Sequence, residues 1–317
     1  MSAPRSRRLW VAVQLAITAV AFAVLAATTD VPRLRATLAG APLWGIPAAS
    51  VLLLAVMWLG GLRWRLALLA YGAQQPPGVT RLFSLHVVGL FYNTVAGGVG
   101  GDALRGVVSR EAFGDGGLAK GLAVVLVERV LGLASILILV SAMLVWRPIP
   151  SLHIAPSIAI ALLSAVVAAL VALGAARRVA PHLPSVLAKH ADSLPELQHW
   201  PAFGGALACS IVNQMAVAMV GYVLLSPLAP SVSVADTLTL CPIAFAAVFV
   251  PLTVAGGGTR DAAMVALFAP LGVSDDRALA ASAQIWVTYL LVSAIGGLLS
   301  MVTDLHPPEA SSASQDG

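Results

Sequence analysis

Charge is scarce in this chain. Only 10% of its 317 residues are Asp, Glu, Lys or Arg, against about 25% in a soluble globular domain. So few ionic side chains cannot cover a water-facing surface of this length, which excludes an ordinary cytoplasmic enzyme. Disorder is excluded as well, since it needs low hydrophobicity, and here 59% of residues are hydrophobic with a mean hydropathy of +0.92. Cysteine is nearly absent. Cys209 and Cys241 lie far apart in apolar stretches, with neither metal-ligand spacing nor a disulfide framework. The 6 histidines do not cluster and no H-E-x-x-H is present, so an intramembrane zinc protease has no support, and neither metal nor cofactor is expected. The excess of 18 basic over 14 acidic residues is small and scattered, which speaks for membrane orientation and against nucleic-acid binding. The apolar runs are long and unbroken, unlike the alternating strands of a spanning barrel. What remains is an all-α, polytopic integral membrane protein.

An apolar helix needs roughly 20 residues to cross about 30 Å of hydrocarbon. Such runs stand at 9–28, 43–61, 118–146, 155–175, 202–225 and 278–303, and two further apolar segments, 82–96 and 235–272, are interrupted by glycine clusters. The first run outlasts the roughly 7–15 residues of a signal-peptide core and is read as a retained span. The Ser-rich tail 304–317 is read as disordered. Under the positive-inside rule, Arg5, Arg7 and Arg8 place the N-terminus in the cytoplasm. Arg63, Arg65 and Arg81 fall on the same side two spans later, as do Arg105 with Arg110, and Arg177, Arg178 and Lys189. The segment 82–101 therefore starts and ends in the cytoplasm: it dips in and returns. By the same counting 235–272 enters and leaves by the outer face, although Arg260 and Arg277 sit awkwardly there. The expectation is about 6–8 membrane helices in a single domain over 1–303, with halves at 1–150 and 151–303.

The two interrupted segments share a pentapeptide. Thr94-Val95-Ala96-Gly97-Gly98 recurs as Thr253-Val254-Ala255-Gly256-Gly257, at an offset of 253 − 94 = 159, close to half the chain. An acid and an arginine follow each copy, Asp102 with Arg105 and Arg260 with Asp261. Glycine-broken apolar segments in corresponding halves point to a transporter's binding site. Irregular backbone in hydrocarbon leaves N–H and C=O groups unpaired and survives only inside protein or along a wet cavity. With one segment entering from each face, the halves read as inverted repeats. The competing reading is that Gly97, Gly98, Gly100 and Gly101 only permit close helix packing; Gly256, Gly257 and Gly258 form the glycine loop of the second segment.

Glu128 and Arg129 lie deep within the run 118–146. An ionised side chain there costs at least about 2.5–3.5 kcal/mol, so such residues usually face a cavity and carry function. Neighbours on a helix diverge, so each needs a partner elsewhere. Asp102, Arg105, Arg260 and Asp261 are the candidates, and a structural network that locks the broken segments is the plain alternative. Asn93, Asn213, Gln214 and Gln284 read as interhelical hydrogen-bonding groups. Asn93 is promoted to the candidate site because it opens the first glycine loop, whereas His86 is read as structural.

Asn93 to Arg105, N-T-V-A-G-G-V-G-G-D-A-L-R, resembles the Asn…Gly-Gly-Asp…Arg motif of the lysylphosphatidylglycerol synthase transmembrane family, whose members are flippase-like. Glu128-Arg129 with Gly132 is similar to that family's Glu-Arg…Gly motif. Pro251 to Asp261, P-L-T-V-A-G-G-G-T-R-D, resembles its Pro…Gly-x-Gly-x-Arg-acid motif. The matches run in family order over nearly the whole chain. Ala96 replaces the usual Pro and Asp261 the usual Glu, which keeps the charge but shortens its reach. Larger members continue into a soluble aminoacyl-transfer domain. Here about fourteen residues follow the last run, so the resemblance implies lipid translocation without lipid synthesis.

The leading expectation is thus a flippase in the bacterial cytoplasmic membrane, moving an anionic phospholipid or a lipid-linked phosphate and compatible with a homo-oligomer. Asn93, Asp102, Arg105, Glu128, Arg129, Arg260 and Asp261 would form its substrate site. Arg105 and Arg260 would hold the phosphate, Arg being suited to bidentate contact, and the halves would rock about the shared site. A membrane-embedded enzyme, either a lipid-modifying transferase or an aspartyl protease, is the second reading, although no extramembrane loop is long enough to house a nucleotide-binding domain. Aspartyl proteolysis needs two aspartates sharing a proton, but Val99-Gly100-Gly101-Asp102 lacks the first glycine of G-x-G-D and no partner aspartate is evident. A non-transporting assembly subunit is the third.

Overall fold

The computed structural model describes residues 30–42, 44–95, 100–113, 117–149, 155–175, 196–246 and 258–302, and among these every regular element is helical. The run predicted at 9–28 and the tail 304–317 lie outside the described residues. The helices are α1 (Val31–Gly40), α2 (Gly45–Ala70), α3 (Val79–Val95), α4 (Gly100–Ser109), α5 (Gly117–Trp146), α6 (Pro156–Gly174), α7 (Trp200–Leu225), α8 (Val234–Ala246), α9 (Thr259–Phe268) and α10 (Asp275–Val302). Four of them, α2, α5, α7 and α10, are long and apolar enough to cross a membrane, and α6 and α8 are shorter apolar helices. The long helices are apolar on all sides, the pattern of helices immersed in hydrocarbon. The protein is an all-α polytopic membrane protein.

The spine of the bundle is α2 packed along α7, the most extensive helix–helix interface among the described residues. The two run antiparallel. Gly45 meets Leu224 at one end, and at the other the Ala70 carbonyl accepts the backbone N–H groups of Gln198 (2.8 Å) and His199 (3.1 Å). Exposed Trp44 and Trp146 lie at the Gly45 end and Trp200 at the Ala70 end, where amphipathic indoles anchor a helix at membrane interfaces. α10 crosses the same bundle, with Gln284 beside Gly45 and Gly296 against the Val87 carbonyl of α3.

The two glycine-broken segments become helix pairs. α3 leaves the Ala70 end and runs back along α2, setting Phe83 against Gly61 and His86 against Gly60. α4 then folds back. Gly101 lies on Gly89 and Asn93, while Ser109 returns to the level of Trp64. A Cβ on Gly101 would sit 2.4 Å from the Gly89 carbonyl oxygen, so glycine is required by this close approach. α8 starts at the Gly45 end, where Gly221 leaves room for the Cys241 side chain. α9 leads into α10, whose Asp276 holds Arg33 (3.4 Å) and Thr37 (2.7 Å) of α1 at that same end. One pair thus belongs to each end of the bundle.

Two boundaries differ from the sequence reading. The run predicted at 43–61 continues to Ala70, because Gly60-Gly61 does not end the helix: a Cβ on Gly61 would lie 2.9 Å from the Phe83 backbone nitrogen, so these glycines clear space for α3. Arg63 and Arg65 are therefore helical, not in a loop. Residues 105–109, expected in a cytoplasmic loop, complete α4.

Candidate functional site

Arg105, Glu128, Arg260 and Asp261 fall into two clusters. In the first, Glu128 of α5 is only 2% exposed and accepts from two arginines. Arg63 of α2 donates Nε at 3.0 Å and Nη2 at 2.5 Å to Oε1, and Arg105 of α4 donates Nη2 to Oε2. A buried carboxylate needs such partners, since an ion withdrawn from water loses several kcal/mol of hydration. The Arg105 guanidinium also lies 4.6 Å over the Trp64 ring, where the π face attracts a cation. Trp64 is held in turn: Nε1 donates to Ser109 Oγ at 3.0 Å, and the His86 ring stands edge-on with centroids 6.4 Å apart. Asn93 closes the helix pair, its Oδ1 accepting the Gly101 N–H at 2.8 Å near the start of α4.

The second cluster repeats the device with other residues. Arg260, 4% exposed, stands near the start of α9 with its guanidinium 4.7 Å over the Trp286 ring of α10. Its Nη2 lies 3.5 Å from Asp261 Oδ1 and donates to the Ser282 carbonyl at 3.3 Å. Asp261 is occupied locally. Its Oδ2 accepts the Gly258 N–H at 2.9 Å and its Oδ1 the Ser282 hydroxyl, so the short carboxylate caps its own helix. Gly258 has φ +80°, a left-handed backbone that favours glycine. Arg260 Nε and Trp286 Nε1 are buried with no hydrogen-bond partner among the described residues.

The structure thus joins Arg105 with Glu128 and Arg260 with Asp261, and places the two groups apart. Arg105 and Arg260, expected to share one phosphate, stand in different clusters. Arg63, assigned above to a loop, is the second partner of Glu128. Trp64, Trp286 and Ser282 carry both clusters and were not singled out. One signal was available: Arg63-Trp64-Arg65 sets an indole between cations in an otherwise apolar helix. Arg129 is half-buried, one residue past Glu128. Asp102 sits on α4, with its side chain outside the described residues, and Gly97, Gly98, Gly256 and Gly257 lie outside them as well. Gly100 opens α4. Gln214 makes the interhelical bond expected of it, donating Nε2 to the Gly132 carbonyl at 3.5 Å. Among the described residues no group of three or more His, Cys, Asp or Glu converges on a metal position.

Each cluster sets a guanidinium over an aromatic face with a carboxylate beside it. A comparison with curated proteins yields no match. A comparison with family models returns the lysylphosphatidylglycerol synthase TM region over residues 11–297, nearly the whole chain. The matched range takes in Arg105, Glu128, Arg260 and Asp261. The chain belongs to the lysylphosphatidylglycerol synthase TM region family, whose membrane proteins have a lipid-related role.

Proposed function

We propose that this protein is a flippase of the bacterial cytoplasmic membrane that carries a phosphate-bearing lipid headgroup between leaflets while the acyl chains stay in lipid. The observation that carries the reading is the Arg260–Trp286 bracket, a buried guanidinium over a half-buried indole, with the Arg260 Nε and Trp286 Nε1 donors buried and unfilled among the described residues. Leaving a buried donor unmade costs about 1–3 kcal/mol, and a phosphate oxygen would recover it. We read the α3–α4 and α8–α9 pairs as re-entrant segments entering from opposite faces, an inverted repeat. With the N-terminus in the cytoplasm, the Arg105 cluster serves the inner leaflet and the Arg260 cluster the outer one. The lipid would pass between two stations rather than turn within one. No chemical conversion is assigned.

The test is reconstitution into vesicles of phosphatidylcholine containing fluorescent phosphatidylglycerol, with leaflet exchange followed by dithionite quenching. Arg105→Ala and Arg260→Ala are each expected to slow exchange at least tenfold while the proteins remain folded. Unchanged exchange in both folded variants would reject the mechanism. It would favour reading the clusters as locks that hold the helix pairs.

A further inference from the structure

Between the two clusters, α10 carries polar groups on a single face. Ser282, Trp286, Tyr289 and Ser293 stand at i, i+4, i+7 and i+11, the spacing that stacks side chains along one side of a helix. Ser282 and Trp286 belong to the second cluster. Tyr289 is within electrostatic reach of Arg260, about 4.5 Å farther along the helix than Trp286. Ser293, 3% exposed, follows about 6 Å beyond it. There α10 meets the tip of the first helix pair: the Ser293 hydroxyl donates to Thr94 Oγ1 of α3 at 3.2 Å. Ser210, Thr239 and Thr288 donate instead to carbonyls of their own helices, at 3.0, 2.9 and 2.9 Å, the local bond such hydroxyls commonly make. Thr94 does the same toward Leu90 at 2.8 Å. Ser293 commits its proton to another element. Beside Thr94, Asn93 holds the Gly101 N–H of α4, and Arg105 of the first cluster lies one turn farther along that helix.

We propose that Tyr289 and Ser293 of α10, with Thr94 opposite, form the track along which the phosphate headgroup passes between the clusters, shut in this structure by the Ser293–Thr94 hydrogen bond. The inference rests on reading both clusters as phosphate stations. As α3 parts from α10, a phosphate oxygen replaces Thr94 as the acceptor. Ser293 then donates to an anion instead of a neutral hydroxyl, which is the stronger bond. Tyr289 offers the next hydroxyl on the way to Arg260. The track is uncharged: α10 has no ionisable acid or base beyond Arg277. Passage requires binding favourable enough to enter and weak enough to leave. Neutral hydroxyls meet that need, whereas a third guanidinium midway would hold the phosphate.

The experiment places a cross-link at the contact, Thr94→Cys with Ser293→Cys, in the full chain carrying Cys209→Ala and Cys241→Ala. Leaflet exchange of short-chain fluorescent phosphatidylglycerol in phosphatidylcholine vesicles is read by albumin extraction, which leaves disulfides intact. Oxidation is expected to slow exchange at least tenfold and reductant to restore it. Phosphatidylglycerol affinity in detergent is expected to stay within twofold, because both clusters are untouched. A cross-linked protein that exchanges as fast as its reduced form overturns the proposal. Tyr289→Phe with Ser293→Ala removes two hydroxyls and needs no disulfide. Slower exchange at unchanged affinity is expected, and exchange at the wild-type rate overturns the proposal. Affinity lost in step with exchange overturns it as well, since these residues would then belong to a station. A wild type that binds phosphatidylglycerol but exchanges none rejects the flippase reading, and the track with it.

Discussion

Replacing Glu128 by Gln tests whether the first cluster is a closed ionic site. The carboxylate is 2% exposed and is the acceptor for both Arg63 and Arg105. Gln has the same shape, so little is lost in packing. What is lost is the charge facing two guanidinium groups on different helices. Removing one partner of a buried ion pair costs about 3–5 kcal/mol, because the opposing charge stays buried without compensation. At about 2–4 °C per kcal/mol, that lowers the melting midpoint by roughly 6–20 °C. Thermal unfolding in one detergent, followed by tryptophan fluorescence and by size-exclusion recovery, measures it. Pairing the change with Arg63→Gln discriminates further. The double variant leaves one cation instead of two, so it is expected to recover part of the loss. A midpoint within 2 °C of wild type for Glu128→Gln would refute the reasoning, since it would mean that water already screens these charges.

Gly101→Ala brings a methyl within 2.4 Å of the Gly89 carbonyl oxygen, so α4 must move off α3. A loss of about 1–3 kcal/mol is expected, read as a lower melting midpoint with more rapid hydrogen exchange in α4 than in α7. Trp286→Leu keeps an apolar side chain but removes the face beneath Arg260. The cation–π contact is made without lipid, so about 0.5–2 kcal/mol of stability is expected to go with it, and phosphatidylglycerol affinity is expected to fall because the indole N–H is lost as a phosphate donor. An unchanged affinity would separate Trp286 from the site.

Glu128 was legible because an acid inside an apolar run has few tolerable explanations. Its partner Arg63 was not. Gly60-Gly61 looks the same in sequence whether glycine ends a helix or clears a path for a neighbouring one, and only the position of Phe83 decides between them. Most of the shared pentapeptide lies outside the described residues, after Val95 in its first copy and between Ala246 and Gly258 in its second. It carried no distance, and so Arg105 and Arg260 were drawn to one phosphate. Trp64 and Trp286 were hidden by chemistry that suits them to any membrane helix. An indole in an apolar run becomes informative only when tertiary structure lays a cation on its ring. Asp261 was read from its motif as a shortened substitute for Glu. The geometry gives the shorter reach a use, closing the turn at Gly258.

The contact between the Ala70 carbonyl and the N–H groups of Gln198 and His199 has a bearing on how the molecule can move. It fastens the close of α2 to the approach of α7, splicing early chain to late chain along their longest shared seam. Tilting one portion against the other as rigid blocks would shear that seam. α2 and α7 therefore stand as a fixed mast. Displacement is left to the lighter rigging hung from it, helices of 17 and 10 residues at one end and 13 and 10 at the other.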